Sequence, residues 1–340
     1  MRRARLLPAL AALVVVAAAC GGDTASTTTE GTTTSVATTT PVATATGAPS
    51  TTVVETTVAA RTFTGIDGVE TAVDDTSRIV SLNGDITEVI YELGLGESVV
   101  AVDVTTTYPE EAAALIDRGD TVGLSMQLAP EAVLRFDPTL VIGDQQVAPQ
   151  EVIDQLRDAG VPVVIIETQV TLDGAATKIG QIAEILGVPD EGAELAGRVA
   201  AEVEAARALI PEEAESPSVA YVYVRGPETI FLFGAGTQTQ AMIEGAGAVD
   251  AGAGSGVGGL APLTPEALIA AAPDVIVLPE LGLQALGGLD ALLAIPGVSD
   301  TPAAANEEFL VYDEAYFFNL GPRVGQALAE FIGDLYSLTG

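Results

Sequence analysis

An internal repeat constrains the fold of this 340-residue chain more than any other feature. The segment Leu128-Ala129-Pro130-Glu131-Ala132-Val133-Leu134 returns as Leu263-Thr264-Pro265-Glu266-Ala267-Leu268-Ile269. Each copy is followed by a proline and an apolar run, Pro138 then Leu140–Ile142 and Pro273 then Val275–Val277. The offset is 135 throughout, with no gap. Two unrelated helix–strand units seldom keep Pro, Glu and Pro in step, so the chain reads as two lobes of like topology. A cleft between the lobes is then the default place for a ligand.

Each lobe alternates short β-branched runs with helical stretches, the pattern of an α/β fold. In the first, Arg78–Leu82, Val99–Val102, Leu140–Ile142 and Val161–Ile166 read as strands. Ile86–Leu93, Ala129–Arg135 and Pro149–Ala159 read as helices. In the second, Val219–Val224, Ile230–Phe233 and Val275–Leu278 are strands, while Gln238–Glu244, Pro265–Ala271 and Pro322–Tyr336 are helices. Between them Glu191–Ala208 is rich in Ala, Glu, Leu and Arg, and a helix starting near Pro189 and ending before Pro211 is expected. At 1.5 Å per residue such a helix spans about 30 Å, enough to join two lobes rigidly. The expected fold class is therefore α/β, two Rossmann-like lobes (69–188 and 212–340) joined by a long rigid helix (189–211).

The first 68 residues read differently. Arg2, Arg3 and Arg5 precede an apolar stretch, Leu6–Ala19, that is short for a membrane span. Residues 1–19 read as a signal peptide running into Cys20, the only cysteine, where lipidation of an exported lipoprotein would occur. Residues 20–68 read as a flexible tether, since 18 of the 41 residues from Thr24 to Thr64 are Thr. Such a coil has a reach on the order of 35–40 Å.

Composition removes whole classes of chemistry. With no His, there is no imidazole general base, no Ser–His–Asp or Cys–His triad and no His-held zinc or manganese. The 47 acidic against 13 basic residues, a formal charge of −34, leave little to neutralise phosphates, so nucleic acid is not an expected partner. Removing residues 1–19 takes away three Arg and no acid, which leaves 10 basic and 47 acidic groups and a charge of −37. Gly254–Gly259 matches GxGxxG but follows a helix, and reads as a loop. The missing His and the absence of a nucleophile motif argue against the rival reading of a surface-anchored α/β enzyme.

Lipobox, Thr-rich tether, paired α/β lobes and linking helix together resemble the ABC-importer substrate-binding lipoproteins. Within them the chain is similar to the helical-backbone group that handles siderophores, haem and cobalamin. The supporting residues are Arg78–Glu88, Ile295–Val298 and Thr301–Ala304. The hemin-binding branch is nearest, on Asp103–Pro109, Gly123–Leu134 and Tyr223-Val224-Arg225-Gly226. The resemblance implies a monomeric, extracytoplasmic, non-enzymatic receptor, lipid-anchored through Cys20 to the outer face of the cytoplasmic membrane. It would deliver haem, as a transported ligand and not a cofactor, to an ABC permease dimer. A ferric siderophore or cobalamin is the alternative cargo.

The resemblance places the haem-iron ligand at Tyr223, whose phenolate suits ferric iron. Arg225, at i+2 on the same strand face, is expected to favour the ionised phenol or to pair with a propionate. In the first lobe, the loop where hemin binders often carry a His reads Gly123-Leu124-Ser125-Met126. Met126 is either a thioether ligand or an apolar filler, with Ser125 beside it and Tyr108 as a further candidate; Tyr223 alone could also hold the iron. Tyr312, Tyr316, Phe317 and Phe318 form either a wall for a flat macrocycle or packing under the last helix. Arg323 could meet an anionic group. Glu131 and Glu266 open the repeated helices after proline, where the helix dipole favours a carboxylate; the resemblance implies that they dock on the two permease subunits.

Overall fold

The computed structural model describes residues 61–338. The expected signal peptide, Cys20 and most of the tether lie outside them. The described part begins earlier than the sequence suggests: β1 (Arg61–Thr64) and β2 (Glu70–Val73) form an antiparallel hairpin. Residues 61–68 therefore belong to the fold and not to the tether. The physical reason is alternation. Phe63 and Val73 pack into the core, and the Thr71 hydroxyl donates to the Val163 carbonyl at 3.0 Å.

The first lobe is a five-stranded parallel sheet of β3 (Ile79–Ser81), β4 (Val99–Asp103), β5 (Thr121–Gly123), β6 (Leu140–Asp144) and β7 (Val163–Ile166). Its order is β5-β4-β3-β6-β7. β3, β6 and β7 are buried on both faces, as a parallel sheet covered by helices requires. The second lobe contains β8 (Ser218–Val224), β9 (Ile230–Phe233), β10 (Val249–Asp250), β11 (Leu260–Pro262), β12 (Val275–Pro279) and β13 (Phe309–Tyr312). Here the order is β11-β9-β8-β12-β13, with β10 beside the start of β8. β8, β12 and β13 run parallel, whereas β9 and β11 are antiparallel additions. The repeated strands β6 and β12 hold the same place in the two orders, so the offset of 135 is a real structural equivalence.

Strand parity divides the core into three. Ile79, Val275 and Val277 join one apolar cluster that runs through both lobes and the helices between them. Their neighbours Val80 and Val141 point to a second cluster under the outer helices of the first lobe. Val222, Ile276 and Leu278 point to a third in the second lobe.

The linking helix covers Pro189–Arg207, with Pro189 in its first turn, and ends ahead of Pro211 as expected. It packs between the helix Gly174–Leu186, which sequence reading did not single out, and the closing helix Val324–Leu338. Glycine sets both contacts. A Cβ at Gly192 would overlap that of Ala183, and one at Gly325 would lie 2.5 Å from Glu202 Cβ. On the helix Gly174–Leu186, Lys178, the only lysine of the chain, is buried and paired with Asp85.

Gly325→Val should therefore lower the unfolding free energy by about 1–3 kcal/mol through overpacking. Gly333, on the same helix but facing open space, is the control, and Gly333→Ala should gain about 0.5–1 kcal/mol. Urea unfolding of both variants checks the contrast; equal effects would contradict the seam.

Candidate functional site

In a parallel sheet whose strand order reverses, the ligand crevice lies outside the carboxyl ends of the strands at the reversal. The reversals fall between β3 and β6 and between β8 and β12. The candidate residues gather at those strand ends. Tyr108 follows β4, and Ser125 and Met126 follow β5. Tyr223 is near the end of β8, Arg225 is just past it, and Tyr316 follows β13.

At the end of β8 the expected pair is in contact: Arg225 Nε donates to Tyr223 Oη at 2.6 Å. Arg225 N–H bonds the Thr229 carbonyl, closing the β8–β9 turn, and Gly226 supplies the positive φ of 95° that the turn needs. The Tyr223 ring leans on Phe233, with centroids 5.8 Å apart. A residue that sequence reading missed completes the group. Both Glu314 oxygens accept from Arg225 Nη2, at 3.0 and 3.1 Å. Arg225 does favour the phenolate, by its charge and its hydrogen bond, but burial first, and then the Glu314 carboxylate, outweigh it and hold the Tyr223 phenol above the usual tyrosine value. Tyr223 is thus a protonated, neutral phenol near pH 7.

Arg323 also meets an acid, but one belonging to the protein. Its Nε and Nη2 donate to the two Glu88 oxygens, each at 2.9 Å. Glu88 sits on the first-lobe helix Gly84–Glu92, while Arg323 precedes the closing helix, so this fork-to-fork pair clasps the lobes. The guanidinium lies 3.7 Å over the Tyr108 ring and 5.1 Å from that of Tyr316. Tyr108 and Tyr316 are therefore brought together around one cation. Burial, with Glu330 adding to it, pushes the Tyr316 phenol up to about 12. Burial holds the Glu88 carboxyl above its ordinary value, with Arg323 opposing it.

The aromatic stretch divides between the two roles it was assigned. Phe317 stacks on Tyr312 at 5.2 Å and meets Phe331 of the closing helix edge-on, so these two are packing. Tyr316 and Phe318 stay half-buried toward the candidate site, Phe318 against Phe233. On the first lobe Ser125 is buried, with its N–H donated to Asp103, and Met126 is 55% exposed. Glu131 and Glu266 are both exposed in the first turns of Pro130–Leu134 and Pro265–Ala271. Among the described residues no group of His, Cys, Asp and Glu could hold a metal ion, and no helix is long and apolar enough to cross a membrane.

Two like α/β lobes joined by a bridging helix, with the candidate residues at their strand ends, have the architecture of a two-lobed ligand-binding protein. The chain belongs to the periplasmic binding protein family, whose model matches residues 79–316. It is a substrate-binding component of an importer and not an enzyme.

It is 41% identical to the periplasmic heme-binding protein RhuT from Roseiflexus sp. RS-1 in apo form. That match covers 78% of this chain and all of the other, with a TM-score of 0.75. The heme-binding protein HmuT is 36% identical over 81% of this chain and 90% of its own, with a TM-score of 0.74. Structures of that protein also exist with a tyrosine, an arginine two positions further on, and a histidine each replaced by alanine. A vitamin B12-binding protein from Vibrio campbellii is 29% identical over 46% of this chain, a match that spans only 58% of that relative.

Arg323→Ala should cost about 3 kcal/mol at pH 7, because it strands a buried carboxylate. The sign with pH follows from the raised Glu88 carboxyl. A group more easily protonated when folded favours folding at low pH, so the deficit should shrink as pH falls through the Glu88 range. Unfolding curves from pH 7 down to 5 check this; a deficit that does not change with pH would contradict it.

Proposed function

We propose that this protein captures haem between its lobes, with Tyr223 as the ligand to ferric iron, and delivers it to an ABC permease. The observation that carries this reading is the Tyr223–Arg225 contact at 2.6 Å at the carboxyl end of β8. The same two residue types, at the same spacing, are those replaced in the structures of the heme-binding relative. A phenol is a hard oxygen donor, and ferric iron would take the place of its proton. The half-buried Tyr316 and Phe318 offer aromatic surface to a flat ring. From the first lobe, Ser125 and Met126 form the opposing loop, where Met126 supplies a thioether or an apolar cover. Tyr108 lines the cleft beside Arg323.

Cys20 is assigned as the lipid anchor on the outer face of the cytoplasmic membrane, with the Thr-rich segment as the tether. Glu131 and Glu266, in equivalent positions of the repeat, are assigned as the docking contacts for two permease subunits. Cobalamin is the second reading, and the vitamin B12-binding relatives favour it.

Ferric haem added to the purified protein should give a high-spin spectrum with a tyrosinate charge-transfer band, lost in Tyr223→Phe. Haem bound with an unchanged spectrum in that variant would remove Tyr223 as ligand. Binding of cyanocobalamin in place of haem by calorimetry would favour the second reading. Reversing both Glu131 and Glu266 to Arg should abolish uptake by cells while leaving ligand affinity unchanged; normal uptake would reject the docking assignment.

A further inference from the structure

Both arginines at the candidate site are already bound to carboxylates of the protein. An anionic ligand meets no unpaired cation at either of them, and the chain as a whole carries −34. The two pairs are not equivalent. Arg323 and Glu88 share two parallel bonds, and their side chains are only 19% and 6% exposed. Arg225 instead holds both Glu314 oxygens on a single nitrogen, and its side chain is 55% exposed, with Glu314 at 28%. The first geometry uses the guanidinium fork fully and out of water; the second uses it partly and in reach of water. Glu314 also sits on a short helix just past β13, at the carboxyl end where the ligand crevice is expected.

We propose that Glu314 is an internal competitor for Arg225: its carboxylate occupies the guanidinium in the empty protein and gives way when a ligand carboxylate arrives. This rests on the reading that the ligand binds at Tyr223 and Arg225. Capture at that arginine is then an exchange of one carboxylate for another, with Arg225 Nε still free to remain on the Tyr223 oxygen. Specificity follows. A ligand that brings a carboxylate restores the partner of Arg225, whereas one without leaves Glu314 in place or the arginine unmatched. Glu314 is in this sense a specificity-determining residue, and Arg323, locked to Glu88, stays a clasp.

The test compares ferric haem with its dimethyl ester, which keeps the iron and ring but has no carboxylates. Both are titrated into wild type and Glu314→Gln, whose fold is checked by urea unfolding. Glu314→Gln should raise the ratio of haem to ester affinity about tenfold, because the competitor for the ligand carboxylate is gone, whereas the loss of its charge beside the Tyr223 phenol acts on both porphyrins alike. Arg225→Ala in the Glu314→Gln background weakens both porphyrins through Tyr223 but should also abolish the gain in the haem-to-ester ratio. An unchanged ratio of haem to ester in Glu314→Gln would overturn the inference and leave the haem reading intact. Failure of the wild type to take up either porphyrin would overturn the haem reading and the inference with it.

Discussion

The close contact of the linking helix with its two neighbours is the constraint on which the rest depends. At Gly192 and Gly325 the helix backbones approach too closely to admit a Cβ. The seam belongs to one apolar cluster that runs through both lobes and holds Val199 and Val203 of the linker with Ile179 and Phe331 on either side. The relative placement of the strand ends is thus set by side-chain packing, which resists deformation, and not by a flexible hinge. The Glu88–Arg323 pair adds a second tie from the other direction. With a helix seam and an ionic clasp, the lobes on either side of the proposed ligand cleft are held at two places.

Electrostatics sets the character of that cleft. The chain has nearly four acids for each base, yet its few cations are placed where they matter: Lys178 in the core, Arg323 between lobes and Arg225 at the tyrosine. Each is matched by a nearby carboxylate, so none of the three stands as an unpaired cation. A neutral Tyr223 adds no charge of its own beside the Arg225–Glu314 pair.

Much of the fold was legible in the sequence because it is written locally. The 135-residue offset, the Pro-Glu helix starts and the β-branched runs each need only a few neighbouring residues, and β6, β12 and the linking helix follow from them. The Tyr223–Arg225 contact was also legible, since i and i+2 on a strand share a face. What was not legible is what joins distant segments. Glu314 lies 89 residues from Arg225, and Glu88 lies 235 from Arg323, so neither pairing leaves a local trace. The hairpin Arg61–Val73 was hidden by a Thr-rich composition that reads as tether. Gly192 and Gly325 looked like ordinary helix glycines until the neighbouring helices were in place.

The burial of Lys178 against Asp85 has a practical side. With its single lysine sealed in the first lobe, the described part of the protein offers amine-directed reagents no side-chain handle while it is folded. Acylation of that one Nζ becomes a clock for the opening of the core around the helix Gly174–Leu186. A ligand that tightens the lobes would slow it without touching the lysine at all.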